Sequence, residues 1–176
     1  MEIKKYIDME KDVKFDDDIR RKYRYLLWCR WDENLPQVTF IMLNPSKADE
    51  NEGDPTLTRC INFTQSWKKY GSLELVNLFA YRATYPTELG EVDDPVGPDN
   101  DHYIKLATQR ADLIVLAWGV GANKHTIIKN RDKEVLSLIS GQQPIYCLQL
   151  TNEGHPHHPR GLRKNLKPII FPYQQS

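Results

Sequence analysis

The sequence predicts an α/β fold: a three-layer α/β/α domain on a central four-stranded parallel sheet. Three observations lead there. Four short runs, "QVTFIMLN", "SLELVNLF", "DLIVLAWG" and "PIYCLQL", are almost continuously apolar, as strands buried on both faces are. Stretches with helical spacing of apolar residues separate them. Such alternation of strand and helix marks a parallel sheet with helices packed on both sides.

Residues 1–19 read as an N-terminal extension and 20–176 as a single domain, a length that supports one substantial core. "KYRYLLWCRW" (22–31), bulky and aromatic, opens the domain as a strand. "QVTFIMLN" (37–44) follows. Asp54 then caps a helix with Pro55 in its first position, and Leu57, Ile61 and Trp67 carry it to a stop at Gly71. After "SLELVNLF" (72–79), residues 80–100 form a loop rich in proline and glycine. A helix over 99–110 presents Ile104, Ala107 and Ala111 on one face, and "DLIVLAWG" (112–119) is the next strand. A helix over 124–139 presents Ile128, Val135, Leu138 and Ile139. "PIYCLQL" (144–150) is the last strand, and a basic helix over 159–166 closes the domain.

Composition narrows the function classes. Hydrophobic residues make up 40% and charged residues 27%, ordinary for a globular chain. No apolar run approaches the roughly 18 residues that span a bilayer, and the N-terminus lacks a secretory signal's apolar core. Cys29, Cys60 and Cys147 are odd in number and include no CxxC, so they read as reduced, buried thiols of a cytoplasmic protein. Net charge is zero, which gives no bulk reason for tight nonspecific binding to nucleic acid. Positive charge is local, in Arg20, Arg21, Lys22 and Arg24, and again in Arg160, Arg163, Lys164 and Lys167.

Several motif readings fail. "GVGANK" has a lysine where a dinucleotide fingerprint needs its third glycine. "DENEGD" has its glycine one place early for a calcium loop, with Cys60 in place of the closing glutamate. There is no Gly-x-Ser-x-Gly to make Ser46 a nucleophile. His157 and His158, adjacent in an extended turn, point apart, which disfavours a metal site with His155. No cofactor or metal is expected.

In parallel sheets ligands bind beyond the carboxyl ends of the strands, near a topological switch point. The residues there are Asn44, Pro45 and Ser46, then Asn77 with the loop to Arg82, then Gly119, then the segment after Leu150. A buried strand that stops at Asn44-Pro45 suggests an amide facing a ligand over a fixed backbone. Asn77, in an otherwise apolar strand, fits either a structural hydrogen bond or recognition of a base edge, since an amide carries a donor and an acceptor side by side. Gly154-His155-Pro156 makes a rigid turn that places His155 at the rim, near a helix N-terminus suited to an anion.

The ordered motifs "MLNPS", "LVNLF", "VLAWGVGA" and "GHPHHPRGL" resemble those of the uracil-DNA glycosylase superfamily. Over residues 20–170 the chain more closely resembles a bacterial family, domain of unknown function 1643, in which "LNPS", "DPT" and "GHP" with a following proline recur together. The glycosylase resemblance implies a catalytic pair, Asn44 orienting the attacking water and His155 stabilising charge on the departing base. It implies that Asn77 reads the base edge, with Pro45, Ser46, Arg82, Gly119, Gly154, Pro156 and Arg160 shaping or lining the substrate site. Tyr81 and Tyr85 are candidates to stack on the base. Asp49, Glu50, Glu52 and Asp54 depart from the superfamily pattern and would repel a phosphate backbone. The implied activity is hydrolysis of an N-glycosidic bond to a damaged or modified base, with DNA or a nucleotide-like small molecule as partner and no membrane. The alternative is a non-catalytic nucleotide or modified-base binding module on the same fold.

Overall fold

Alternation along the apolar runs sends successive side chains to opposite faces and so builds two cores. The computed structural model describes residues 9–46, 54–120, 130–141 and 143–173. Its strands are β1 (Glu10–Phe15), β2 (Arg24–Arg30), β3 (Gln37–Met42), β4 (Ser72–Asn77), β5 (Leu113–Leu116), β6 (Ile145–Cys147) and β7 (Ile169–Ile170). The α-helices among the described residues are α1 (Pro55–Ser66), α2 (Asn100–Gln109) and α3 (Arg131–Ile139). Val38, Phe40 and Met42 of β3 and Leu73 and Leu75 of β4 pack on Leu57, Cys60, Ile61 and Phe63 of α1. The intervening residues Ile41, Val76, Ile114 and Leu116 pack on Ile104 and Ala107 of α2 and on Val135, Leu136 and Ile139 of α3. One helix therefore covers one face of the sheet and two cover the other.

The sheet is mixed and seven-stranded, in the order β1-β2-β4-β3-β5-β6-β7, which corrects the expected sheet of four parallel strands. Strand β3 is parallel to β4 and β5, and β5 is parallel to β6. Strands β1, β2 and β7 add antiparallel edges. The link from β2 to β3 is a short turn, which can only reverse the chain. Strand β1 falls in the stretch expected to be an extension. Its sequence, EKDVKF, faces solvent over most of its length and lacks the continuous apolar signal of a central strand.

The turn between β2 and β3 needs Gly71. A Cβ there would stand 1.9 Å from the Asp32 carbonyl oxygen, while Trp31 N and Asp32 N both donate to Gly71 O, at 2.8 and 3.0 Å. Gly71 is thus a close-approach residue, whereas α1 stops earlier, with Trp67 as its C-cap and Lys68 left-handed at φ 56°. At the other end Asp54 accepts from Thr56 N and Leu57 N, with Pro55 in the first turn, as expected.

Two helix expectations change. Helix α3 starts at Arg131, because Asn130 is left-handed at φ 62° and ends any continuous helix there; residues 124–129 lie outside the described residues. The basic stretch 159–166 is a series of turns. Gly161 is left-handed at φ 79°, and side chains of α1 and its cap take the carbonyls that a helix would need. Arg59 Nη2 donates to Pro159 O and Leu162 O, at 3.0 and 2.5 Å, and Trp67 Nε1 donates to Leu166 O at 2.9 Å.

The three cysteines are free and buried. Burial pushes the Cys29 thiol up to about 12 and the Cys147 thiol up to about 11, so neither is a ready nucleophile. No helix among the described residues is long and apolar enough to cross a membrane.

Gly71→Ala should destabilise the protein by about 1–3 kcal/mol, the usual cost of an overpacked site, because the atom it meets is backbone. Urea denaturation checks this; an unchanged midpoint would mean that the turn yields without cost.

Candidate functional site

The chain leaves β3 towards α1 on one face and leaves β5 towards α3 on the other. Diverging exits at the carboxyl ends of two adjacent parallel strands are where such a sheet places a ligand crevice. The β3–β5 register pairs Ile41 with Leu116, so Asn44 and Gly119 follow three residues beyond the last pair on each strand. Asn77 pairs with Met42 and shares its face.

Asn44 Nδ2 donates to Pro45 O and Ala83 O, both at 3.0 Å. Ala83 N returns a bond to Pro45 O at 3.1 Å, which laces the β3 exit to the loop after β4. Both partners are carbonyls, so the amide's orientation is set by chemistry and its Oδ1 is left as an acceptor. Beside it, the Ser46 hydroxyl is buried with no hydrogen-bond partner among the described residues.

Asn77 is 2% exposed. Its backbone carbonyl accepts from Asn100 Nδ2 at 2.9 Å, whereas its side-chain amide forms no hydrogen bond among the described residues.

The third side of the crevice is the hairpin after β6. Gly119 N donates to Pro156 O at 2.8 Å, and a Cβ on Gly119 would meet His158 Cβ at 3.5 Å. Gly119 is left-handed at φ 72°, which favours glycine on conformational grounds too. Gly154, at φ 83°, turns the hairpin tip. The His155 amide donates to Thr151 Oγ1 at 3.0 Å, and its ring nitrogen Nε2 lies 3.7 Å from the exposed Glu153 carboxylate. The histidine beside Gly119 is His158, through its Cβ and backbone nitrogen. Arg160 N donates to His158 Nδ1 at 3.1 Å, so the neutral ring carries its proton on Nε2. Burial lowers the His158 pKa, as do Arg160 and His157, against an opposing pull from Asp54. His157 turns away and donates from Nδ1 to His158 O at 2.6 Å.

Arg24 and Asp54 complete the set. Arg24 is 5% exposed, and its Nη2 lies 3.8 Å from Asp54 Oδ2, while Asp54 Oδ1 caps α1. The structure therefore gathers Asn44, Pro45, Ser46, Asn77, Gly119 and Pro156 around the strand ends. Arg82 lies farther along the rim, its Nη1 donating to Arg21 O at 3.1 Å. Tyr81 packs edge-on against Tyr23 and Tyr85 is exposed. Asp49, Glu50 and Glu52 lie outside the described residues. The sequence reading passed over Arg59 and named Arg24 only in a basic cluster and His158 only in a disfavoured metal set; an arginine inside the bulky strand "KYRYLLWCRW" was the available signal for Arg24.

The family model for protein of unknown function (DUF1643) matches residues 24–160, a span that begins at the buried Arg24 and ends at Arg160. The chain belongs to this family. No curated protein and no solved structure matches the chain. Every residue gathered at the crevice lies inside the DUF1643 match.

A histidine whose folded pKa is depressed binds its proton more readily when the chain unfolds. Stability is thus lost as pH falls through the ordinary value, 6.5, towards the depressed one. Between about pH 7.5 and 5.5, wild type should lose more stability than His158→Gln in parallel urea titrations. Equal losses would show that His158 protonates without penalty.

Proposed function

We propose that the crevice binds a nucleobase and that the chain hydrolyses the N-glycosidic bond of a damaged or modified base in DNA, along the lines of the uracil-DNA glycosylase superfamily. Asn77 is the observation that carries this reading. A planar donor–acceptor amide in a nearly buried residue, with no side-chain hydrogen bond among the described residues, is what recognition of a base edge requires. The motif order supports it, as does the position beyond parallel strand ends.

In this reaction a water oxygen bonds to the sugar carbon while the base departs with the electron pair of the broken bond, and a proton ends on the base. Asn44 Oδ1 orients the water. An amide cannot deprotonate it, so the acceleration comes from stabilising the leaving base. His158, neutral with its proton on Nε2, suits that role at the crevice, since a positioned N–H donor stabilises developing negative charge. His155 would serve at the rim.

A second reading, a binding module without bond cleavage, has its own support: the carboxylate of Asp54 is engaged as a helix cap and as the partner of Arg24, so it is poorly placed to act as a base.

Base release from single- and double-stranded oligonucleotides carrying uracil, hypoxanthine, xanthine, and oxidised or methylated bases tests the proposal. Release should vanish in Asn77→Ala and Asn44→Ala and fall about 100-fold in His158→Ala, with His155→Ala run alongside. Asn77→Ala should stay within about 1 kcal/mol of wild-type stability. Asn44→Ala should lose about 1–3 kcal/mol, because Ala83 O loses the Asn44 donor and Pro45 O keeps only Ala83 N. Folded wild type that binds free bases through Asn77 without releasing any would select the binding module. Neither release nor binding would overturn both readings.

A further inference from the structure

Two segments of the chain carry charge of one sign. From Pro55 to Leu73 there is no acidic residue, and Arg59, Lys68 and Lys69 are basic. From Gly154 to Ser176 there is again none, and Arg160, Arg163, Lys164 and Lys167 are basic. The fold lays the second segment along the first. Arg59 Nη2 donates to Pro159 O and Leu162 O, and Trp67 Nε1 donates to Leu166 O. Leu162 and Leu166 pack into the same cluster as Leu57, Ile61 and Phe63 of α1. Residues 159–166 therefore follow α1 from Arg59 to its C-cap Trp67, a rise of about 12 Å along the helix. Lys68 and Lys69 follow Trp67 at one end of this band, and Lys167 follows Leu166 at the same end.

Lys68, Lys69, Arg160, Arg163, Lys164 and Lys167 are all exposed. Among the described residues none of them forms an ion pair. The carboxylates that flank the two segments in sequence are engaged elsewhere. Asp54 caps α1 and meets Arg24, Glu74 is buried against Arg110, and Glu153 lies 3.7 Å from His155 Nε2. Exposed Asn62 and Asn165 add amide donors to the band. Phosphate oxygens take hydrogen bonds from cations and from such amides alike. The exposed residues of α1 and of 159–167 include no large apolar side chain, which a helix lying in a lipid surface would need.

We propose that this band holds the sugar-phosphate backbone of a nucleic-acid strand, which runs along α1 away from the strand ends. Helix α1 begins after β3, so its start lies towards the carboxyl ends of the parallel strands. The basic segment starts there too: Arg160 N donates to His158 Nδ1 at 3.1 Å, and His158 stands beside Gly119. The proposal deepens the nucleobase reading and rests on it for the choice of nucleic acid among polyanions. It gives the chain a local electrostatic grip despite zero net charge.

The test is fluorescence anisotropy with labelled single- and double-stranded oligonucleotides, using wild type and two charge-reversed doubles. Arg163→Glu with Lys164→Glu changes the band. Lys105→Glu with Lys133→Glu makes the same change in net charge at exposed positions of α2 and α3, on the other face of the sheet. The first double should lose about tenfold or more in affinity at roughly 100 mM salt, and its slope of log affinity against log salt should flatten by about 1 to 2. The second should stay within about twofold of wild type. Should the first double fail to fold by urea denaturation, Lys68→Gln with Lys69→Gln carries the test, with a loss of about threefold or more expected. Equal losses in the two reversed doubles, or none in the band variants, would overturn the proposal. So would wild type that binds phosphatidylserine vesicles but no oligonucleotide, or neither. Band-dependent oligonucleotide binding with no base release or base binding would uphold the band while removing the crevice reading. Base release with affinity indifferent to the band variants would do the reverse.

Discussion

The segment from Leu78 to Ala83 is the piece of backbone on which the rest of the site depends. It leaves the sheet at the end of β4 yet is tied at almost every residue. Leu78 N and Phe79 N donate to Met42 O and Leu43 O, extending the β3–β4 pairing past the strands. Ala80 N donates to Val96 O, Ala80 O accepts from Arg24 N, and Ala83 N donates to Pro45 O. The carbonyl of Leu78 is held twice, by Asn100 Nδ2 at 3.1 Å and by Arg131 Nε at 2.9 Å. Asn100 and Arg131 open α2 and α3, so this one oxygen locks the starts of two helices to the end of a strand. A loop fixed so closely holds the Asn44 amide through Ala83 and carries Arg82 next to it.

The buried charges follow a similar logic. Arg131 is 2% exposed and bonds to Asp101 and Glu134, whose carboxylates are more than half exposed. Glu74, 3% exposed in β4, meets Arg110 through two contacts, at 3.1 and 2.7 Å. Burial still raises its pKa, with Arg110 pulling it back. Such pairs contribute little net stability after desolvation, yet removing one partner is costly. Arg24 with Asp54 is different in its placement, because it lies at the crevice. There the carboxylate also fixes the start of α1, so the charge balance of the site and the position of a helix are coupled through one side chain.

Much of the chain was legible in one dimension. The strands at 37–42, 72–77, 113–116 and 145–147 and the helix at 100–109 stand where apolar runs and periodicity place them, because fully buried central strands need continuous apolar sequence. Asp54-Pro55 marked a helix start because capping is a local interaction. Among the candidate site residues, Asn44 and Asn77 were visible as amides interrupting apolar runs. The histidine beside Gly119 was not legible as His158, since "HPHHP" offers three histidines and only the path of the hairpin decides which backbone comes against Gly119.

The sequence by itself determined the α/β class, where the central strands end, and membership in a family spanning residues 24–160. These rest on local propensity, hydrophobic period and motif order, which are written along the chain. Tertiary structure alone decided the antiparallel edges, the place of Gly71 against Asp32, and the unwinding of residues 159–166 by Arg59 and Trp67. It also decided the meeting of Arg24 with Asp54. Each of these depends on groups distant in sequence competing for one carbonyl, one carboxylate or one volume, and such competition is settled only when the chain is folded.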